Sequence, residues 1–374
     1  MPINIAIIEN NIIATNTIRR KLANEFLAKG YKVNILTSGT LEDINIAREN
    51  GFNIIDIGQS TQDPRDIIRY LFKMYKGLKS SRADVCLTFT IRPAIWGNII
   101  TKILNLPTIT SITGIGPLFT RNNISYRGAR FLYKIVLKKT VKIFFQNDDD
   151  LNIFLENKFA HPSIVEKVPG SGVDYEFYSP RENKNKNEKF KFIFIGRLVK
   201  DKGILEYVEA AKKLNKKLNS VEFQVLGPIW NQNLKSNTIS ENEVKSWVDE
   251  GVIKYLGESK DIRDFLAEVD CLVLPSYREG MSNVLLEAAS MEKPCITTDT
   301  TGCRDIVEDG LTGYLCQVQD VLSLVKTMEL MYSLPEKERE IMGKNARNKV
   351  IREFDKKIVV NAYLKAVEQC CKVK

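Results

Sequence analysis

Short apolar runs alternate with stretches of helical periodicity, once through the first half of the chain and again through the second. This alternation constrains the fold more than any other feature. Runs at 3–8, 33–37, 53–57, 85–89, 108–112 and 141–145 read as buried strands, and 16–29, 66–80, 94–104 and 128–138 carry apolar residues at helical spacing. Strands separated by helices imply βαβ units, a parallel sheet and helices on both of its faces. The pattern pauses at Pro169-Gly170-Ser171-Gly172, and the polar stretch 181–189 that follows suits a linker or exposed loop. It then restarts, with strands expected at 190–195, 222–226, 252–256, 271–274 and 295–297 and helices at 204–214, 241–250, 262–268, 284–291 and 321–332. At 374 residues the chain exceeds one ordinary core. The expected architecture is α/β, with two doubly wound, Rossmann-like domains facing each other across a cleft. The first spans 1–175, joined by a C-terminal helix at 355–374, and the second spans 176–354.

The net charge of +9 is uneven. Residues 1–180 hold 23 Lys and Arg against 16 Asp and Glu, a net of +7, and the rest of the chain holds 32 against 30, a net of +2. An anionic partner is therefore expected on the first half. Seven cysteines lie scattered with no CxxC pair, and His161 is the single histidine. That argues against a zinc site and a disulfide framework and fits a reducing cytoplasm. The apolar start at 1–8 lacks a basic flank and a cleavage site, so it reads as a first strand. No run reaches the ~20 apolar residues of a membrane span.

Chemistry concentrates in the second half. After the strand at 271–274 comes Pro275-Ser276-Tyr277-Arg278-Glu279-Gly280-Met281-Ser282, and Asn283 opens a helix that carries Glu287 one turn in. Amides at a helix start favour an anion, and carboxylates accept hydrogen bonds from hydroxyl groups. Phosphate and polyol on one element suggest a sugar nucleotide. The other segment is Gly196-Arg197-Leu198-Val199-Lys200-Asp201-Lys202-Gly203 after the strand at 190–195, where Arg197 offers a bidentate fork and Lys202 a point charge to phosphate. Each alone could be a solvated loop; both sit where a strand's carboxyl end meets a helix, the place where such sheets bind ligands.

These residues, with Thr301-Gly302-Cys303-Arg304-Asp305 and Glu308-Asp309-Gly310-Leu311-Thr312-Gly313-Tyr314, resemble the glycosyltransferases of family 4, retaining enzymes of GT-B fold. The resemblance implies that Gly196, Arg197 and Lys202 hold the donor diphosphate and neutralise charge on the leaving nucleotide. It implies that Glu279 binds the donor sugar, that Gly280 belongs to the donor site, that the amides of Met281, Ser282, Asn283 and Val284 meet phosphate, and that Glu287 takes the ribose hydroxyls. Glu279, Arg197 and Lys202 would be the catalytic set. The reaction would retain the anomeric configuration by front-face attack, the departing phosphate oxygen accepting the proton. No metal and no cofactor beyond the donor, a UDP-linked hexose or N-acetylhexosamine, would be needed.

Thr110-Ser111-Ile112-Thr113-Gly114-Ile115-Gly116-Pro117-Leu118, Phe144 to Asp150 and Pro169 to Asp174 narrow the resemblance. They are similar to bacterial transferases that extend undecaprenyl-diphosphate-linked sugars in protein-glycan, O-antigen or capsule assembly. The acceptor side would then involve Asn10, Thr113, Gly114 and Gly116. Two departures stand out: Glu9-Asn10-Asn11 replaces the family's glycine-rich loop, and Thr113-Gly114 replaces its first-domain histidine. Asp148-Asp149-Asp150 follows a strand and opens a helix, so it reads as a cap and not as a metal motif. Two stretches, 65–82 and 121–142, interleave Lys and Arg with apolar residues, as expected of helices that lie on an anionic inner-membrane surface; ordinary surface helices would show the same mixture. Rival readings are a transferase with a soluble acceptor, a sugar-nucleotide epimerase of the same fold, which lacks cleft acid–base residues here, and a basic nucleic-acid-binding protein, which leaves Glu279 and Glu287 unexplained.

Overall fold

The computed structural model describes residues 2–58, 63–115, 124–137, 140–182, 189–229 and 237–372. The chain forms two α/β units, 1–171 with 356–374 and 172–355. In the first, β1 (Asn4–Ile8), β2 (Lys32–Thr37), β3 (Asn53–Asp56), β4 (Val85–Phe89), β5 (Thr108–Ile112), β6 (Lys142–Phe145) and β7 (Val165–Lys167) make a parallel sheet of order β3-β2-β1-β4-β5-β6-β7. In the second, β8 (Phe190–Ile195), β9 (Val221–Leu226), β10 (Lys254–Tyr255), β11 (Cys271–Leu274), β12 (Cys295–Thr298) and β13 (Gly313–Cys316) make another, of order β10-β9-β8-β11-β12-β13. In both sheets the strand order reverses beside the first strand, at β1/β4 and at β8/β11, which creates a switch point at the carboxyl ends of those strands. The fold is GT-B.

Strand β1 shows why its sequence is apolar at every position from Ile5 to Ile8. Ile5 and Ile7 enter one core with Leu22, Phe26 and Tyr363, while Ala6 and Ile8 enter another with Tyr70, Met74 and Leu78 on the opposite face. A period-2 strand covered by helices on both sides has no solvent face to make polar. The second unit's core is continuous, from Phe192 and Phe194 through Leu272 and Leu274 to Met342 and Val350.

Several boundaries depart from the sequence expectation. The division falls at 171/172 and 355/356, not at 175/176 and 354/355, because the Val173 N–H bonds to the Phe354 carbonyl (2.9 Å) and Val173 bridges Asp355, which ties the start of the crossover to the second unit. The helix expected over 16–29 is two helices, Ile12–Asn16 and Arg20–Ala28. The break turns Arg19 inward, to an ion pair with Glu9 at 3.3 Å. The strand expected at 252–256 shortens to β10. Helix Leu41–Glu49 and strands β7 and β13 had no expectation, and two of these are easy to account for. β7 is an edge strand reading Val-Glu-Lys, and the helix buries little beyond Ile44 and Ala47.

The C-terminal segment forms two helices. Glu336–Glu353 packs Met342, Ala346 and Val350 into the second core, and Lys356–Lys372 packs Val359, Val360, Tyr363 and Val367 into the first. No helix among the described residues is long and apolar enough to cross a membrane.

Candidate active site

Two loops meet at the β8/β11 switch point. The first leaves β8 through Gly196, runs by exposed Arg197 into a 3-10 turn, Lys200–Lys202, and reaches helix Ile204–Leu214 through Gly203. The second leaves β11 and enters helix Asn283–Ser290. The Asp201 carbonyl accepts from the Tyr277 N–H (2.9 Å) and the Ser276 hydroxyl (3.1 Å), which fastens loop to loop. Gly203 sits at φ 76°, and a Cβ there would stand 2.0 Å from the Pro275 carbonyl oxygen, so only glycine permits this approach.

A third segment braces the second loop from the other side. The Glu279 and Ser282 N–H groups donate to the carbonyls of Thr301 (3.0 Å) and Gly302 (3.1 Å). Gly302, at φ 75°, leaves room for the Glu279 carbonyl, which a Cβ would approach to 2.6 Å. Its own N–H donates to Asp305 Oδ2 (2.8 Å), closing the 302–305 turn. Hydroxyls of Thr297, Thr298 and Thr300 donate to the carbonyls of Leu274, Ser276 and Tyr277. Buried Met281 anchors the loop in the core below.

The result is a small charged centre. Lys202 Nζ and Glu279 Oε1 form a hydrogen-bonded ion pair whose side chains are 21% and 12% exposed. Burial and the neighbouring Glu279 carboxylate push the Cys303 thiol up to about 12, so it fills space and stays protonated. The Tyr277 hydroxyl donates to Glu206 Oε1 (2.7 Å), and burial, then this bond, raise the phenol to about 12. Glu287 lies half-buried on helix Asn283–Ser290, and burial, then its carboxylate, push the Tyr178 phenol well up.

Most of the expected donor residues thus converge: Gly196, Arg197, Lys202, Glu279, Gly280, Met281, Ser282, Asn283, Val284 and Glu287 lie on these loops and the helix they start. One expectation is corrected. The Ser282 amide was expected to meet phosphate, but it is spent on the Gly302 carbonyl. Sequence reading missed the Tyr277–Glu206 and Asp201–Asn237 links. Their partners lie 71 and 36 positions away, so no local spacing could reveal them.

In the first unit, Asn10 follows β1 and donates to the Thr90 hydroxyl (2.7 Å), while Thr113 and Gly114 follow β5. With Thr90, which follows β4, they share the carboxyl edge of three successive strands, β1, β4 and β5; Gly116 lies outside the described residues. The cap of helix Asp148–Glu156 is Asn147, not an aspartate, and its side chain accepts from the Asp150 N–H at 2.8 Å. Asp148 pairs with Lys167 (2.6 Å) and Asp150 is buried. Among the described residues no group of three or more His, Cys, Asp or Glu is placed to hold a metal.

Geometry and sequence relatives agree on the class of protein. Residues 176–349 match the Glycosyl transferases group 1 family and residues 10–147 the Glycosyl transferase 4-like family, so the chain carries both of these glycosyltransferase domains and is a transferase. Among its relatives is the Escherichia coli UDP-Gal:alpha-D-GlcNAc-diphosphoundecaprenol alpha-1,3-galactosyltransferase, 28% identical over 77% of this chain and 76% of that one. Another is the Campylobacter jejuni N,N'-diacetylbacillosaminyl-diphospho-undecaprenol alpha-1,3-N-acetylgalactosaminyltransferase, 24% identical over 87% and 88%. Among solved structures, a Rickettsia africae glycosyltransferase superposes with a TM-score of 0.81 at 17% identity over all of both chains. Anabaena Alr3699/HepE in complex with UDP and glucose does so at 0.81 and 14%, over 98% and 99%. At these identities the structures establish the fold.

Proposed function

We propose that this glycosyltransferase moves a sugar from a nucleotide donor, UDP-linked, to a saccharide carried on a polyprenyl diphosphate, with retention and without a metal. The observation that carries the reading is the Lys202–Glu279 pair. A cation for diphosphate and a carboxylate for sugar hydroxyls are held in contact by two interlocked loops, with Glu287 on the helix that follows. Arg197 and Lys202 neutralise the leaving nucleotide, doing with side chains what a divalent ion does elsewhere. The departing phosphate oxygen takes the acceptor's proton on the same face, so the protein supplies no base. Both relatives named above act, by their names, on undecaprenyl-diphosphate-linked sugars, which supports the acceptor class.

The first unit would bring that acceptor from an anionic inner-membrane surface. Helix Pro64–Ser81 turns Tyr70, Met74 and Leu78 into the core and leaves Ile68 and Phe72 outside among Arg65, Arg69, Lys73 and Lys76. Basic side chains around an exposed apolar pair suit such a surface. The test incubates purified protein with a panel of UDP-sugars and a short-chain polyprenyl-diphosphate sugar in EDTA. Nucleotide release that requires the acceptor, with an unchanged anomeric configuration by NMR, is expected. Strict Mg²⁺ dependence or an inverted product would overturn the mechanism, and release with soluble sugars alone would overturn the acceptor.

A further inference from the structure

Tyr277 fastens to the first donor loop at two points, one on each side of Lys202. Its N–H donates to the Asp201 carbonyl (2.9 Å), which also accepts from the Ser276 hydroxyl (3.1 Å). Its own hydroxyl donates to Glu206 Oε1 (2.7 Å), in the first turn of helix Ile204–Leu214. The tyrosine is held from behind, because its carbonyl accepts from the Thr300 hydroxyl (3.1 Å). Asp201 is held in turn by Asn237, whose Oδ1 accepts from the Asp201 N–H (3.1 Å) and whose Nδ2 donates to Asp201 Oδ2 (2.9 Å). Lys202 lies between the two points of attachment, and its Nζ meets Glu279, two residues beyond the tyrosine. Backbone, phenol and ion pair thus close a ring.

Donor binding opens that ring at one place. Glu279 turns to sugar hydroxyls and Lys202 to phosphate, so the ion pair no longer fixes either side chain. A lysine is long and loses much freedom when it must meet a ligand, and a backbone turn that could shift beneath it would add to that loss. Neither Tyr277 nor Glu206 contacts the donor in this reading, so the bond between them persists through binding. Glu206 Oε2 is buried with no hydrogen-bond partner among the described residues, so the phenol on Oε1 is the bond that holds this carboxylate. We propose that Tyr277 is a positioning residue, whose bond to Glu206 holds the Lys200–Lys202 turn so that Lys202 meets the donor diphosphate once Glu279 has taken the sugar. This rests on the reading of Lys202 as a diphosphate cation. Burial, then the bond to Glu206, raise the phenol to about 12, so it remains a donor throughout the working pH range.

The discriminating probe is the second phosphate. UDP, GDP and ADP are titrated against the full-length protein, and the tightest is compared with its monophosphate. Losing one hydrogen bond to a charged group costs roughly tenfold. Tyr277→Phe acts on the ligand only through Lys202, so it is expected to weaken the diphosphate by somewhat less, about fivefold, and to leave the monophosphate within about twofold. Glu206→Gln still accepts from the phenol and should weaken the diphosphate less than Glu206→Ala does. In a Lys202→Ala background Tyr277→Phe should have no further effect. Equal weakening of diphosphate and monophosphate, or an effect that persists without Lys202, would show a merely structural tyrosine and overturn the proposal. If Lys202→Ala removes the preference for diphosphate and Tyr277→Phe leaves it intact, this inference alone falls. If Lys202→Ala itself leaves that preference intact, the reading of Lys202 falls first. If none of the three nucleotides binds, both fall.

Discussion

Lys202 and Glu279 act as one unit in the free enzyme, and this sets what each substitution should do. Removing either leaves the other's charge partly buried without its partner, on a loop fixed by backbone bonds that cannot fold away. Lys202→Ala should lower kcat by about 10²–10³-fold, the usual loss when one preorganised donor to a developing anion is removed. Glu279→Gln keeps the shape and some hydrogen bonding but frees Lys202, so it should slow transfer less than Glu279→Ala. The double variant should fall well short of the product of the two single losses, because they share one interaction. Steady-state kinetics on the four proteins measure this, and strictly multiplicative losses would show that the pair is not coupled. The residue types and their order were legible in the sequence because each sits at a strand end beside a glycine. The coupling was not, since 77 positions separate Lys202 from Glu279 and only strand order makes them neighbours.

At the scale of elements, the segment from Glu9 to Arg19 shows what replaces a glycine-rich loop. Glu9 follows β1 at 2% exposure, and at the helix break Arg19 turns in to meet it, lying 4.1 Å over the Phe89 ring and donating to the Ser171 hydroxyl (2.8 Å). Burial raises the Glu9 carboxyl from 4.5 to about 7, and the opposing pull of Arg19 is smaller. An acid whose folded pKa is raised binds its proton more tightly in the folded protein. Its contribution to stability is complete below the unfolded value and is lost as pH rises through 7. The shift corresponds to an upper bound on the order of 3 kcal/mol across pH 4.5–7. Glu9→Gln should remove that slope, so that urea midpoints of variant and wild type differ by a pH-dependent amount over this window. Parallel curves would show that Glu9 does not titrate there. Periodicity placed a strand before this segment and a helix after it, but read the helix as unbroken from 16 to 29. No proline or glycine at 17–19 marks the break, and the side chain it turns inward, Arg19, meets its partner Glu9 back at the end of the first strand.

At the scale of the whole molecule, the tandem alternation carried most of the fold, because parallel strands covered on both faces read as near-continuous apolar runs and therefore stand out. Surface function is less legible, since a core-facing stripe and a membrane-facing one use the same residues. Helix Pro64–Ser81 carries an inward and an outward apolar stripe: Tyr70, Met74 and Leu78 recur every four positions inward, while Ile68, 68% exposed, and Phe72, 56% exposed, do so outward. Helix Ile91–Ile103 packs between this helix and helix Ile124–Val136, so the three form one layer, and the last adds exposed Phe131, Lys134 and Ile135. If this layer meets the membrane, burying one aromatic or branched side chain contributes ~2 kcal/mol and each nearby cation about 1 kcal/mol. Phe72→Asp should then reduce affinity for phosphatidylglycerol-rich vesicles by more than tenfold, and added salt should weaken the wild type as the cations are screened. Leu330→Asp, on the outer face of helix Val321–Ser333 in the second unit, is the control and should bind like the wild type. Flotation of the three proteins with vesicles of graded phosphatidylglycerol content separates the outcomes. Equal loss in both variants would mean that any exposed apolar residue suffices, and no loss in Phe72→Asp would return this helix to the role of an ordinary surface helix.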